Sequence, residues 1–479
     1  MPHRTGRPLA RAAAALCLAL SLGLPSMSVA QTPSVENHFV RIAPRVAGVL
    51  YTPVAASPHR HVAVVVMHDN NDFLDHPSTV QLASRGFTVL AANPRYAPDL
   101  DDRDMDWDAA LLDLASAVRY ARGLAGIDRV VLLGHSSGAP LAAAYQNIAE
   151  NGVKACQGPE KIVPCPDAMA ALRPADALVL LDPIFGLGAN VLTSVDPSLA
   201  DGSTPADPSL DIYAPANGFT ATGATYSDAF RKRFLKAQAA RNAVLVERAL
   251  QQRQAIAEGR GAFADDAPFV VPGATRTPRL WRPDLHLLSH TQGSYTLLRG
   301  DGTHSTEVIH TLRVPSGLTP TVVARNDREA DRPASAASNA GAGAGAASAQ
   351  ARPLLLGGSL DTTVKRFLST FATRATADYD ITEDSVSGID WNSSYTSTPG
   401  NVEGVKVPLL VMGMTGHYWL VSAETAYRHA ASKDKSIAFV EGATHGFAPC
   451  QPCAKAPGQF GDTAGRTFAY VADWIGAHF

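Results

Sequence analysis

The sequence predicts an α/β protein, in which helices flank a mainly parallel sheet and a large insertion interrupts the chain. Short apolar, β-branched runs alternate with stretches of helical spacing over residues 31–182, and the same alternation returns over 360–479. Uninterrupted apolar runs are typical of strands buried on both faces. Alternating strands and helices indicate a parallel sheet covered by helices. The pattern breaks between 183 and 359, which we therefore assign to the insertion.

The strands are predicted from their apolar runs. Val62–Met67 (VAVVVM) is the clearest, because six apolar residues follow one another without a polar interruption. Such short runs are too brief for a buried helix. The six predicted strands are Val62–Met67, Phe87–Ala91, Arg129–Leu133, Ala177–Leu181, Val407–Met412 and Ser436–Val440.

The helices are predicted from apolar residues spaced three and four apart. In Asp106–Arg122, five apolar side chains including Trp107 and Leu114 share one face, and the acidic start suits the helix dipole. The other helices of the two core segments are predicted near Ser78–Arg85, Ala139–Ala149, Ala423–Ala431 and Arg466–Ala477.

Composition excludes several classes of protein. The chain has 479 residues, of which 46% are hydrophobic and 18% charged, so it is neither disordered nor collagen-like and has ample length for a core. Its formal net charge of −3 does not indicate a nucleic-acid-binding surface. The 15 histidines are numerous, and we expect most of them on the surface. Oligomeric state is not predictable from these features.

Residues 1–30 have the organisation of a signal peptide. Three arginines precede an apolar run, Ala12–Leu24, and Ser28-Val29-Ala30 supplies small residues before Gln31. The run is short for a membrane span, so we expect export to the periplasm or beyond the cell, without stable membrane insertion. A short membrane anchor is the alternative. Removal of the three arginines would take the net charge from −3 to −6.

The four cysteines beyond the signal segment point to two disulfides. An even number of cysteines in an oxidising compartment favours disulfides, and local pairing is the simplest of the three possible connectivities. A four-thiolate zinc site and a redox motif are alternatives, but the spacing of the first pair does not suit zinc. The expected pairs are Cys156–Cys165 and Cys450–Cys453.

The insertion, 183–359, contains three kinds of sequence. Ser227–Glu258 is a polar, helix-like stretch, and Leu280–Val323 alternates in a way that indicates hairpins. Residues 333–353 are rich in Ala, Gly and Ser, a composition that predicts a flexible loop. We expect the insertion to form a lid over one edge of the sheet and a pocket for the leaving group.

One motif carries the strongest chemical signal. A predicted strand runs into Gly134-His135-Ser136-Ser137-Gly138, and a predicted helix follows. In this strand–turn–helix context, a G-x-S-x-G motif places its serine at the top of a sharp turn as a nucleophile. We therefore assign Ser136 as the candidate nucleophile.

With this motif, the sequence resembles the α/β-hydrolases over Phe39–Asp182 and Phe367–Phe479. The resemblance implies an α/β-hydrolase fold with a mainly parallel, eight-stranded sheet. It also implies the chain order nucleophile, acid, histidine. His445, in Glu441-Gly442-Ala443-Thr444-His445-Gly446-Phe447, resembles the histidine loop of the family and is the expected base. A structural loop histidine is the alternative interpretation.

The acid departs from the common pattern of the family. Position 416, where an Asp would align after the strand Val407–Met412, is Gly. Asp182 ends the preceding strand, a position similar to that used in the platelet-activating-factor acetylhydrolase and chlorophyllase groups. We expect Asp182 to hold the tautomer of His445. Glu424 is the alternative acid, and a turn-forming role before Pro183 is the alternative for Asp182.

The oxyanion hole requires two backbone N–H donors. The resemblance assigns one donor to Ser137 and the other to the loop after Met67, where the family often has His-Gly and this chain has His68-Asp69-Asn70. Asn70 is the expected second donor, with Asp69 as the alternative. An ordinary polar loop is equally consistent with this sequence.

Two further groups of residues are candidates for binding, one acidic and one aromatic. Asp102, Asp104, Asp106 and Asp108 alternate, but Trp107 stands where a calcium-binding loop needs Gly, so a helix start is favoured. Trp391 and Trp419 are candidate substrate-binding residues, as are the neighbouring tyrosines Tyr395 and Tyr418, although ordinary packing explains them equally well. We expect neither a cofactor nor a metal site.

These observations predict an exported serine hydrolase with the triad Ser136, Asp182 and His445, acting on a small-molecule or polymeric carboxylic ester. Cleavage of an amide, thioester or carbon–carbon bond is an alternative, because fold does not fix substrate. A non-catalytic binding protein on a hydrolase scaffold is a second alternative. The natural substrate is not predictable from these motifs.

Overall fold

A ten-stranded mixed sheet forms the centre of the protein. The structure, a computed structural model, describes residues 34–96, 105–200, 206–220, 222–274, 278–314 and 359–479. The predicted signal peptide 1–30, the predicted flexible loop 333–353, and Asp102 and Asp104 of the acidic row lie outside these residues.

The sheet order is β1-β2-β4-β3-β5-β6-β15-β16-β10-β11. The seven strands from β4 to β10 in this order run parallel, whereas β1, β2 and β11 pair antiparallel with their neighbours. The predicted mainly parallel sheet flanked by helices is therefore confirmed. Its strands are β1 (Val35–Ala43), β2 (Val46–Pro53), β3 (Val62–Met67), β4 (Thr88–Ala92), β5 (Arg129–His135), β6 (Ala177–Leu181), β10 (His290–Leu298), β11 (His304–His310), β15 (Leu409–Met414) and β16 (Lys435–Val440).

Within the described ranges, three small two-stranded sheets lie outside the central one. They pair β7 with β8, β9 with β12, and β13 with β14. Their strands are β7 (Phe219–Thr220), β8 (Gly223–Ala224), β9 (Pro268–Pro272), β12 (Ser359–Thr363), β13 (Arg374–Ile381) and β14 (Val386–Asp390).

Helices cover both faces of the central sheet. Along β3, Val62, Val64 and Val66 belong to one hydrophobic cluster, and the intervening side chains belong to the other. This division follows from the two-residue period of a strand. The helices are α1 (Ser78–Ala83), α2 (Trp107–Arg122), α3 (Gly138–Asn151), α4 (Lys154–Gln157), α5 (Leu187–Ser194), α6 (Asp228–Ala257), α7 (Val364–Arg366), α8 (Thr398–Val402), α9 (Leu420–His429) and α10 (Thr463–His478).

The two faces carry different helices. Helices α2, α3 and α9 supply side chains to the larger cluster, and α1 and α10 supply side chains to the smaller one. Asp106 caps α2 by accepting a hydrogen bond from the N–H of Ala109 at 3.0 Å. This part of the acidic row therefore starts a helix, as predicted. Within the described part of the chain, every helix is too short or too polar to cross a lipid bilayer.

The segment assigned to the insertion contributes directly to the central sheet. Strand β10 lies parallel to β16, and β11 returns antiparallel to β10. The hairpin predicted in Leu280–Val323 thus extends the eight strands that the family resemblance implies. Residues Ser34–Phe479 form one compact unit, in which the long helix α6 packs beside β13.

Both cysteine pairs are local, as predicted. Cys156 and Cys165 are joined with their Cα atoms 5.5 Å apart, and Cys450 and Cys453 with theirs 5.2 Å apart. The second disulfide lies in the loop that carries His445. There the N–H of Cys450 donates to the carbonyl of Gly442 at 2.7 Å, which closes the loop.

Candidate active site

Ser136 occupies the sharp turn between β5 and α3. Its φ of 58° lies in the left-handed region, which is rare for a residue with a side chain and typical of a strained functional turn. The N–H of Ser136 donates to the carbonyl of Leu181 at 3.1 Å, so the turn is fixed to the end of β6. Ser136 is partly exposed, whereas the residues on either side are buried.

Two glycines permit this turn. A Cβ atom at Gly134 would lie 2.5 Å from the carbonyl oxygen of Gly138, and one at Gly138 would lie 2.6 Å from the carbonyl oxygen of Met67. Real Cβ atoms do not approach backbone oxygens so closely. The motif therefore needs glycine at both ends because β5, α3 and the end of β3 meet there.

Asp182 follows β6 directly and contacts His445. Its Oδ2 accepts a hydrogen bond from Nδ1 of His445 at 2.6 Å, and its Oδ1 accepts one from the N–H of Met414 at 3.2 Å. The side chain is fully buried, and its backbone φ of 40° is again left-handed. A proton on Nδ1 leaves Nε2 of neutral His445 with a lone pair, which is the tautomer a general base needs.

His417 also donates to Asp182. Its Nδ1 lies 2.7 Å from the same Oδ2 atom, and its ring stacks on that of His445 with centroids 4.3 Å apart. His417 was not expected at the site, because the chain order of the family favours His445 over the other histidines as the base. Its position directly after Gly416, at the end of the strand where the family carries its acid, was the signal available.

The charge state of Asp182 follows from these contacts. Burial alone would raise the pKa of its carboxyl group, but the neighbouring His417 and the hydrogen bonds from both imidazoles lower it to about 2. Asp182 is therefore an anion at neutral pH. A buried carboxylate with this set of donors can stabilise an imidazolium on His445.

The structure also gives a reason for the missing aspartate. A Cβ atom at Gly416 would lie 2.7 Å from the carbonyl oxygen of Ala443 and 2.9 Å from Cβ of Cys450. The loop that carries His445 thus packs directly on Gly416, and a side chain there would displace it. The carboxylate that contacts His445 accordingly comes from the neighbouring strand, as Asp182.

Glu424, the alternative acid, serves another element. Its carboxylate accepts hydrogen bonds from the N–H groups of Gln292 and Gly293 and from the hydroxyl of Tyr295, at 2.8 to 2.9 Å. These three residues belong to β10. Glu424 therefore fastens α9 to the hairpin and does not contact His445.

A chain of buried histidines supports the loop of His445. Nε2 of His135 lies 2.9 Å from the carbonyl oxygen of His445, and Nδ1 of His135 lies 3.1 Å from Nε2 of His76. Since a carbonyl only accepts, His135 carries its proton on Nε2 and accepts on Nδ1 from His76. Nδ1 of His76 then accepts from the N–H of Ser78 at 3.2 Å.

These two histidines are neutral. Burial, followed by repulsion from neighbouring histidines, lowers the pKa of His76 to about 3 and that of His135 well below its ordinary value. The expectation that most histidines lie on the surface did not anticipate a buried group of them at the site. Five are buried around the site: His68, His76, His135, His417 and His445.

The predicted oxyanion donors have different surroundings. The N–H of Asn70 donates to Nδ1 of His68 at 3.2 Å, so in this structure it is directed at a side chain. Ser137 begins α3, and its hydroxyl donates to Asp69 and lies 2.8 Å from Nε2 of His68. The loop after β3 and the turn at Ser136 are thus tied together by buried polar contacts.

The candidate aromatic residues gather around Phe185, three residues beyond Asp182. Trp391 stacks on Phe185 with ring centroids 5.6 Å apart, and Trp419 meets it edge-on at 6.0 Å. Tyr418 contacts the ring of His417 at a tilt, whereas the hydroxyl of Tyr395 donates to Asp108 at 2.9 Å. Burial raises the pKa of Asp108 to about 6. Three of the four candidates therefore surround the loop that leaves Asp182.

Asp182, His417 and His445 have ligand atoms within 4.8 Å of one another, which is a set that zinc accepts. However, the two N···O distances of 2.6 and 2.7 Å are those of hydrogen bonds. Two ligands of a tetrahedral zinc ion would lie roughly 3.3 Å apart. The described arrangement fits shared protons better than a bound metal.

Among the described residues, no hydrogen bond joins Oγ of Ser136 to the ring of His445. The structure thus brings the acid to the histidine and leaves the contact with the serine open. Such contacts are often long in the absence of substrate and tighten when it binds. Ser136, Asp182 and His445 follow β5, β6 and β16 in this order along the chain. These strands run parallel, so their carboxyl ends lie at the same edge of the sheet.

Comparison with known proteins gives weak likenesses. No family model and no curated protein matches the sequence. The chain is similar to hypothetical protein PA2218 from Pseudomonas aeruginosa (14% identity, 94% of this chain and 95% of that one, TM-score 0.42). It is also similar to brefeldin A esterase, a bacterial homologue of human hormone-sensitive lipase (12% identity, 95% and 79%, TM-score 0.37).

Esterase B from Lactobacillus rhamnosis is a third similar structure (19% identity, TM-score 0.25), and the match spans 36% of this chain and 54% of the esterase. All three TM-scores lie below 0.5, so the fold is assigned from the strand order and the residue positions of this protein itself. Its mainly parallel sheet, its serine at a left-handed turn after β5, and its aspartate and histidine after β6 and β16 have the order that the family resemblance implies. The chain has an α/β-hydrolase fold.

Proposed function

We propose that the protein is an exported serine hydrolase that cleaves carboxylic esters through an acyl-enzyme. The observation that carries this proposal is the pairing of His445 with buried Asp182 beside the strained turn of Ser136. Oγ of Ser136 attacks the ester carbonyl while Nε2 of His445 takes its proton. His445 then returns the proton to the leaving alcohol, and a water molecule releases the acid by the same path.

Two backbone donors stabilise the negative oxygen of the tetrahedral intermediate in this proposal. The N–H of Ser137 is one, because it follows the nucleophile at the start of α3. The N–H of Asn70 is directed at His68. We therefore assign the second donor to Asp69, the alternative that the sequence left open.

Trp391, which is partly exposed, is the proposed apolar contact for the acyl or alcohol group. The buried rings of Phe185 and Trp419 pack beside it and support it. The lid role of residues 183–359 belongs to the same proposal. Aromatic surfaces of this size favour ester groups with apolar substituents.

The test uses the mature protein with short p-nitrophenyl esters and a fluorophosphonate probe. Wild type should hydrolyse the esters and become labelled at Ser136, and Ser136→Ala should lose both properties. Ser84→Ala is the matched control, because it also removes a serine hydroxyl, but one that is exposed at the end of α1 and donates to the carbonyl of Gln81. Labelling of Ser136→Ala, or no labelling of folded wild type, would refute the proposal.

A further inference from the structure

Two imidazoles share a single oxygen of the buried acid. Nδ1 of His445 and Nδ1 of His417 lie 2.6 and 2.7 Å from Oδ2 of Asp182, although Oδ1 also has a donor in the N–H of Met414. A carboxylate oxygen has two lone pairs, so both contacts fit as donated N–H bonds. The proposed mechanism needs only His445. The second histidine is therefore unexplained by it.

His417 is held where it is by ring contacts on two sides, stacked on His445 and tilted against Tyr418. Its ring lies 4.3 Å from that of His445 on one side and 4.1 Å from that of Tyr418 on the other. The guanidinium of Arg282 lies 5.3 Å from the centre of the Tyr418 ring. His417 is buried, so its orientation is fixed by rings rather than by solvent.

The charged groups around His417 come from four elements. Asp182 at the end of β6 is an anion, and His445 in the loop after β16 is the second imidazole. Tyr418 follows His417 in its own loop, and Arg282 contributes a cation beyond that ring. His135, whose ring on β5 lies tilted against that of His445, is neutral. Asp182 is thus the anion in direct contact with both imidazoles.

We propose that His417 is a positioning residue, which holds Asp182 through a second N–H bond and thereby sets the pH range in which His445 acts as a base. This inference rests on the proposed function. Each donor on Oδ2 reduces the negative charge available to the other, so His417 makes protonation of His445 less favourable. Two imidazoles on one anion also titrate as a coupled pair, because a second positive charge there is repelled by the first.

The proposal implies that hydrolysis continues to lower pH with His417 present than without it. Removing the N–H of His417 should concentrate the charge of Asp182 on His445. The acidic limb of kcat/KM should then move to higher pH by about one unit.

Two substitutions separate the N–H bond from the ring. His417→Phe keeps the stacking and removes the donor, and His417→Asn keeps a donor near the position of Nδ1 and removes the ring. We expect His417→Phe to shift the acidic limb upward and His417→Asn to keep it near that of wild type. His286→Phe is the matched control, because His286 also contacts an aspartate, Asp284 at 3.1 Å, but its side chain is 79% exposed.

A second measurement does not depend on catalysis. In the Ser136→Ala protein, the imidazole of His445 can be titrated by NMR with ¹⁵N-labelled histidine, with and without His417→Phe. The proposal expects protonation of His445 at higher pH when His417 is replaced. This titration tests the role of His417 even if wild type shows no ester hydrolysis. Fluorophosphonate labelling of wild type tests the proposed function separately.

The outcomes are distinct. A His417→Phe protein that loses activity equally at every pH, or whose His445 titrates as in wild type, would refute the proposal and leave His417 a packing residue. Should His417→Phe fail to fold, His417→Asn and His417→Leu decide together, because both remove the ring and only asparagine keeps a donor. An acidic limb that moves up in His417→Leu but not in His417→Asn supports the proposal, and equal limbs in the two variants overturn it.

Discussion

At the scale of single residues, the site depends on left-handed backbone at two positions that carry side chains. Ser136 and Asp182 have φ values of 58° and 40°, and each immediately follows a central strand. Conformations of this kind cost of order 1–3 kcal/mol and persist where the surroundings fix them. Here the surroundings are the hydrogen bond between Ser136 and Leu181, and the donors on Asp182. The fold thus holds both side chains at the carboxyl ends of neighbouring strands.

The buried pair His76 and His135 predicts a loss of stability in acid. An unfolded histidine binds a proton near pH 6.5, whereas folded His76 does so only near pH 3. The unfolded state therefore binds more protons in this interval, and the free energy of unfolding should fall as the pH falls from 6.5 toward 3. Each such histidine contributes at most about 1.4 kcal/mol per pH unit.

Urea unfolding at several pH values tests this expectation. His76→Gln is the comparison, because its amide can donate to His135 and accept from Ser78 without titrating. The variant should lose less stability than wild type between pH 6.5 and 4. Equal losses in the two proteins would show that His76 is not responsible.

At the scale of elements, α9 and the β10–β11 hairpin are joined by one carboxylate. Glu424 is 2% exposed and accepts three hydrogen bonds from β10. Glu424→Ala should lower the free energy of unfolding by about 2–3 kcal/mol, since it removes a buried carboxylate that accepts three part-buried hydrogen bonds. It should not prevent labelling of Ser136, because Glu424 does not contact His445.

Glu403→Ala is the control for this change. Glu403 accepts from Nδ1 of His429 at 2.7 Å, but both side chains are substantially exposed, so its removal should cost less than about 1 kcal/mol. Chemical unfolding and fluorophosphonate labelling measure the two effects. Loss of labelling in folded Glu424→Ala would restore Glu424 as a candidate acid.

The sequence allowed the central strands to be predicted closely, because their apolar runs are set by burial on both faces. Val62–Met67 and Ala177–Leu181 have the predicted bounds, and Ser136 lies at the predicted turn. The edge strands β1 and β2 and the hairpin β13–β14 were not predicted, since strands exposed on one face lack such runs. The sharing of Asp182 by His417 was also missed, because it depends on two loops that meet only in three dimensions.

At the scale of the whole molecule, the location of the protein remains a proposal. Two local disulfides suit an oxidising compartment, and the predicted signal peptide would deliver the chain there. We expect the mature protein to begin at Gln31 and to be found outside the cytoplasm. Mass spectrometry of the intact protein from each cell fraction measures this.

A protein without residues 2–30 is the control and should stay in the cytoplasm. Full-length protein in the membrane fraction would instead support the membrane-anchor alternative. Both arms use the same antibody or tag, so the fractions are directly comparable.

The β10–β11 hairpin has a further consequence for behaviour at high concentration. Without it, β16 would present a row of unpaired backbone groups, which is a template for sheet growth between molecules. The hairpin moves this boundary outward to β11, whose neighbours include the Arg299–Glu307 ion pair and whose outer residues are mostly polar. Charged and polar residues on an edge strand disfavour its pairing with the edge of another molecule, so we expect the hairpin to leave this edge less prone to aggregation than an uncovered β16 would be.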